Sequence, residues 1–289
     1  MIKTVEIDSI SGIMDLIRDQ GYNKDINRLR STYFYRGLPD ARYRLTTSLR
    51  MNCKQLYGKL EPAVLRAFTK YASIEDPALN DSVWRQMIIG QHHGLPTRLM
   101  DLTRSPLTAL HFASTENNFD KIDMRDSVVW RFDMRGINKN LPKKYADALD
   151  RLSAFVFSVD TLSELASDLG SYDRDMGDSA FACIEPPSVD QRIINQYSFF
   201  AIIPNGMTDI EGFLDKCAAE TVKYIIKKEI RWDVRDLLDQ MNMNERILYP
   251  GLDGLSRSLA RHYFVKRGQC DGLGGEDTAE TVISDDTDN

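Results

Sequence analysis

The sequence predicts an α+β fold, with a central sheet of mainly antiparallel strands and flanking helices. Stretches with apolar residues at helical spacing cluster early and late in the chain, while runs rich in β-branched and aromatic residues cluster in the middle. Strands and helices therefore do not alternate as they would in a doubly wound parallel sheet. The chain has 289 residues, 42% of them hydrophobic, enough to bury a full core as one large domain or two small ones.

Taken in order, residues 1–7 alternate like a short strand. Ser9 caps a helix with Ile10, Ile13, Met14 and Ile17 on one face, ended by Gly21. Residues 32–37 read as a strand and 37–40 as a turn, so Arg36 sits at a strand end beside a glycine that lets backbone approach a ligand. Residues 43–48 look extended, and 61–73 form an amphipathic helix with Val64, Leu65, Phe68 and Tyr71 in step. Asp81 caps a helix carrying Val83, Trp84, Met87 and Ile88, which ends near Gly94 with Pro96 as a stop. Residues 97–103 are a short extended or looped run. Ser105-Pro106 then starts a helix, serine as cap and proline at the first helical position.

Further strands are expected at 127–132, 154–159, 180–184, 196–204 and 222–227. Helices are expected at 161–169 from a threonine cap, briefly at 188–195, and at 209–218, 230–243 and 252–264. From Gly268 the chain is rich in Gly, Asp, Glu and Thr and is expected to be flexible. The chain thus divides into an N-terminal strand and helix (1–29), a main domain (30–265) and an acidic tail (266–289).

The densest chemistry lies in Gln91-His92-His93-Gly94-Leu95-Pro96-Thr97-Arg98-Leu99-Met100-Asp101-Leu102-Thr103-Arg104-Ser105-Pro106, running into Leu107 to Ala113. Three of the four histidines fall there. A packing element does not need such a mixture, whereas a loop holding polar groups in fixed positions does. Arg98, Asp101, Thr103 and Ser105 are expected near one another. Each has a plainer reading as well. Arg36 binds a ligand or only pairs with Asp101. Arg98 holds a phosphate or caps helix carbonyls, and Ser105 is a site residue or only a helix cap. His92 and His93 diverge by about 100° on a helix, so at most one faces a shared site.

The net charge of −6 argues against gripping nucleic acid by bulk charge. Cys53, Cys183, Cys217 and Cys270 form no CxxC pair, so no structural zinc is expected and reduced cytoplasmic thiols are the default. No apolar run approaches a membrane span, and the N-terminus has no signal-peptide core. The expectation is a cytoplasmic protein with no membrane partner. No Gly-x-Ser-x-Gly elbow, Walker loop or dinucleotide-binding glycine motif is present.

Four segments together resemble the FRG domain, a family named after its Phe/Tyr-Arg-Gly motif. They are Tyr35-Arg36-Gly37, the long segment from Gln91 to Ala113, Gln191 to Phe200, and Ile247 to Leu255, spanning about residues 30–260. The order of these motifs is similar to that of ADP-ribosyltransferase domains: an Arg or His on the first strand, a hydroxyl-rich segment leading into a helix, then a Glu, Asp or Gln at a late strand. The resemblance implies a split ADP-ribosyltransferase-like sheet and NAD as the substrate. In that scheme Arg36 holds a phosphate or a ribose hydroxyl, Tyr35 and Gly37 flank it, and the Gly37 backbone bonds the carboxamide. Thr103 or Ser105 braces the site, and Gln196 holds a ribose hydroxyl. Glu185 is the nearest carboxylate to serve as a base, and His92, Arg98 and Asp101 complete the nucleotide site. The protein is then an ADP-ribosyltransferase-like enzyme with an unknown protein or nucleic-acid acceptor, acting as a toxin or phage-defence effector. The alternative is a non-catalytic module that binds a nucleotide or a protein.

Overall fold

Alternation along the strands sorts the cores. In the computed structural model, which describes residues 1–266 apart from 189 and 218, nine strands are formed. They are β1 (Lys3–Ile7), β2 (Tyr22–Asn23), β3 (Arg28–Leu29), β4 (Tyr33–Leu38), β5 (Leu99–Thr103), β6 (Ser127–Asp133), β7 (Ala182–Ile184), β8 (Ser198–Ile202) and β9 (Thr221–Ile226). Seven of them make one sheet in the order β1-β9-β6-β4-β5-β8-β7, while β2 and β3 pair by themselves. β1 joins β9 in parallel at one edge; every other pairing is antiparallel. The α+β expectation holds. The N-terminal strand, set apart in the sequence, is an edge of the common sheet.

Phe34 and Tyr35 are adjacent, both fully buried, and point to opposite faces. Phe34 joins Met100, Leu102, Val128, Trp130, Phe132 and Ala201 in a core that covers one face of the sheet on both sides of the β4–β5 junction. The other face carries two separate cores. Under β4, β6 and β9, Tyr35, Val129 and Tyr224 pack with Ala109, Leu110 and Val234 from the helices Pro106–Ser114 and Arg231–Gln240. Under β5, β7 and β8, Leu99, Phe200 and Ile202 pack with Trp84, Met87 and Tyr172 from the helices Val83–His92 and Leu169–Met176. The gap between these two cores lies at the β4–β5 junction.

Local signals account for most element ends. Ser105 accepts from Thr108 N–H and Pro106 opens the helix, as expected. Gly94 has φ +87°, the left-handed geometry that ends the helix before it. Several expectations are corrected. Ser82, not Asp81, caps the helix Val83–His92. The first helix ends at Arg18, short of Gly21. Residues 43–47 are irregular, and Ser48 already begins a helix. The strand expected at 154–159 is reduced to one bridge, Phe157 with Ile184. Ser158 rather than Thr161 caps the following helix, Val159–Leu165, and a second one starts from an Asp168 cap. A short apolar run does not distinguish a strand from a buried turn, and a hydroxyl two or three residues upstream caps equally well. The helix Lys143–Arg151 had no expectation. Of the tail, all but Lys266 lies outside the described residues.

Candidate functional site

β4 pairs with β6 along its whole length but meets β5 at a single register pair, Tyr35 with Thr103. The sheet is nearly parted there, and a cleft of about 200 Å³ opens at that point. It is lined by Tyr35, Arg36, Gly37, Asp101, Leu102, Thr103, Phe112, Arg192, Gln196 and Ser198. Arg36 leaves β4 on the face opposite to Tyr35. Its Nη1 donates to the Asp101 carbonyl at 2.7 Å, a group left unpaired where the strands part. The same nitrogen lies 3.5 Å from the Asp101 carboxylate, so the pairing of Arg36 with Asp101 is real. Arg36 Nε is buried without a partner.

Asp101 is the exposed residue of an otherwise buried strand. Gln91 Nε2 donates to both its oxygens, at 3.1 and 3.2 Å. The Gln91 carbonyl oxygen is fixed in turn by Thr97 and Ser48 hydroxyls. Gln91 therefore positions Asp101. Thr103 is buried, donates to the Gln196 carbonyl at 2.7 Å and accepts from Ser105 N–H. It braces the end of β5 against the turn before β8. The Gln196 carboxamide donates to the Leu248 carbonyl at 3.0 Å, and Asn195 donates to that of Ile247, so the Gln191–Asn195 helix and the Glu245–Leu248 turn are tied together beside the cleft.

Gly37 has a different use from the expected one. A Cβ there would sit 1.8 Å from the Ala109 carbonyl oxygen and 2.7 Å from Ala113 N. The close approach that glycine permits is to the backbone of the Pro106–Ser114 helix, and it seats Phe112 at the cleft. Tyr35 lines the wall, but its hydroxyl accepts from Gln20, and burial pushes its pKa up to about 12.

Four expected site residues do not line the cleft. Arg98 is buried and gripped by Glu61 and Asp173. It lies just before β5, and these two carboxylates already match its charge. His92 turns into a neighbouring groove of about 830 Å³ and pairs with Asp190, while desolvation lowers its pKa. Glu185 is exposed in a third groove, with Ser158, Asp160 and Ser188. Ser105 serves as the helix cap and does not line the cleft. Arg36, Thr103, Gln196, Asp101, Tyr35 and Gly37 do come together. Arg192, Phe112 and Gln91 join or support the cleft without a sequence signal of their own. All three lie inside the motif segments, but nothing local shows that they turn toward Arg36. Among the described residues no group of three His, Cys, Asp or Glu side chains is placed to hold a metal ion, and no helix is long and apolar enough to cross a membrane.

No curated protein and no solved structure matches the chain. A family model, that of the FRG domain, matches residues 31–121. The first two segments of the resemblance lie inside that match, and those carrying Arg192, Gln196 and Tyr249 lie beyond it. The chain thus carries an FRG domain, and the Tyr35-Arg36-Gly37 strand and Asp101 from that domain build one side of the cleft.

Proposed function

We propose that the cleft at the β4–β5 junction binds a nucleotide and transfers ADP-ribose from NAD to an acceptor. The observation that carries this reading is the convergence of Arg36, Asp101, Thr103 and Gln196, from distant parts of the chain, on the one place where the sheet parts. Arg192 lines the same cleft and, among the described residues, has no ion-pair partner, so an anionic ligand would match its charge.

In the reaction the bond from nicotinamide to the anomeric carbon breaks and nicotinamide leaves with the electron pair. The acceptor's nucleophile forms the new bond to that carbon. Asp101, the one carboxylate lining the cleft, takes the acceptor's proton in this reading, rather than Glu185. Gln91 holds Asp101 in orientation, and Thr103 keeps the two walls of the cleft together. At about 200 Å³ the cleft is smaller than the roughly 300–1,000 Å³ of pockets for drug-sized ligands. Part of a dinucleotide enters it, and the remainder lies across the rim. A toxin or defence role follows if the acceptor is a host macromolecule.

A second reading has its own observation. The Gln196 carboxamide is engaged by the Leu248 carbonyl and Arg36 by that of Asp101, so two of the expected catalytic groups also hold structure. On this reading the cleft binds a nucleotide without turning it over. Incubation with labelled NAD and cell lysate separates the two. Label transfer that Asp101→Asn and Arg36→Ala abolish in folded protein supports the transferase. Intact NAD alongside retained nucleotide binding supports the binding module.

A further inference from the structure

We infer that Arg192 and Arg36 together form a phosphate-binding pair, so that the cleft grips the nucleotide by a phosphate beside the reacting ribose. This rests on the nucleotide-binding reading above and names the part of the ligand that the cleft recognises.

The arginines of this protein sort into two kinds. Those at 2% exposure or less are matched within the chain. Arg98 is held by Glu61 and Asp173, Arg131 by Asp19 and Glu220, and Arg235 by Glu245. Arg231 donates to the carbonyls of Arg125 and Ala113. Such matching is what burial of a charge demands. Arg192 is different. Its guanidinium lies 5.0 Å from the Tyr249 ring centre, and its Nη1 donates to the His92 carbonyl at 3.4 Å, near the limit of a hydrogen bond. Among the described residues no carboxylate lies within ion-pair distance of it. Its Nε is buried without a partner, as are those of Arg36, Arg131, Arg231 and Arg235; what sets Arg192 apart is that its remaining nitrogens make one long hydrogen bond and that it lines the same cleft as Arg36. The Tyr249 face and the His92 carbonyl fix the plane of the guanidinium while leaving its charge unspent.

Two guanidinium groups and one carboxylate line the cleft, so it is locally positive in a chain of net charge −6. Asp101 faces Gln91 and solvent and is 61% exposed, so it offsets little of that charge. A planar fork with free N–H groups matches the oxygens of a phosphate, and two forks lining one cleft match a dianion better than a single negative charge. Arg36 comes from β4 and Arg192 from the Gln191–Asn195 helix, so they reach the cleft from different elements. The Phe112 ring beside them gives an apolar wall for the sugar attached to the phosphate.

The test is calorimetric titration of the full chain with ADP-ribose, inorganic pyrophosphate, nicotinamide mononucleotide and nicotinamide riboside, the last lacking phosphate. ADP-ribose and pyrophosphate are expected to bind and the riboside not to. Preference for the mononucleotide over ADP-ribose would place a terminal phosphate in the cleft, and the reverse a pyrophosphate. Arg192→Gln is expected to weaken ADP-ribose binding by about tenfold or more, with Arg192→Lys in between. Unchanged thermal unfolding of both variants shows that the fold persists. Wild-type protein that binds none of the phosphates, or an Arg192→Gln variant that binds ADP-ribose as tightly as wild type, overturns the pair. Phosphate binding without label transfer from NAD leaves the pair standing and removes only the transferase reading. Transfer that is indifferent to Arg192→Gln removes only the pair.

Discussion

The cluster beneath the C-terminal helices and the cleft at the β4–β5 junction are both built on arginine, yet they spend it in opposite ways. In the cluster, Arg235 is wholly buried against Glu245, which also receives Arg261, and Arg261 reaches on to Asp239. His111 stacks into the same network, its Nδ1 within 2.9 Å of Arg235. Every charge there has an opposite within the chain. In the cleft, Arg36 has a carbonyl and a carboxylate at 3.5 Å, and Arg192 has a ring and a distant carbonyl. The first arrangement holds helices in place, and the second leaves donors for something outside the chain. Residue type does not separate them; the number of carboxylates brought within reach does.

The comparison breaks most visibly in the cluster. Glu245→Ala removes the sole carboxylate partner of Arg235 and is expected to cost about 3–5 kcal/mol, read as a lowered urea midpoint. A loss below about 1 kcal/mol would show that the network is not what holds these helices. Next comes the contact that joins the cleft to the helix behind it. Gly37→Ala places a Cβ against backbone that cannot give way, and about 3 kcal/mol of destabilisation is expected in the same measurement.

The pH dependence belongs to the cluster as well. Burial, with Arg235 and Arg261 alongside, lowers the His111 pKa from 6.5 to about 3, against the opposing pull of Glu245. The folded protein keeps this imidazole neutral where the unfolded chain protonates it. Stability is therefore full above pH 6.5 and falls as the pH drops toward 3, by about 1.4 kcal/mol per unit. Glu245, lowered to about 2 from 4.5, adds a loss of the same sign below pH 4.5. Between 6.5 and 4.5 the slope is carried by His111, with a smaller part from half-buried His92. His111→Gln should flatten it, as followed by unfolding at a series of pH values. The smallest effect is expected in the cleft. Arg36→Ala should change stability by no more than about 1 kcal/mol, because its carboxylate partner is largely exposed, while removing ligand binding. A large loss of stability with binding retained would move Arg36 into the same class as Arg235.

Much of the frame was legible in the residues themselves. The β4, β6, β8 and β9 strands stood out by composition. Gly94 and Ser105-Pro106 marked the helix boundaries around β5, because capping hydrogen bonds run between residues two to four apart. The pairing of Arg36 with Asp101 was weighed from sequence and is formed. The burial of Arg98 is not legible locally, because its partners, Glu61 and Asp173, lie 37 and 75 positions away. Glu185 is close to Gln196 along the chain, yet it lines another groove. For Arg192, only the packing of Tyr249 beside it shows where its guanidinium rests.

The residues alone determined most of the strands and helices, the boundaries at Gly94 and Ser105-Pro106, and that the Tyr35-Arg36-Gly37 motif stands on a strand. Each of these depends on interactions within one or two turns of chain. Tertiary structure decided which strands are neighbours, that β4 and β5 touch at one pair, and which arginines find a carboxylate. Strand order and the matching of buried charge depend on groups far apart in the chain, and no window of sequence contains both members of such a pair.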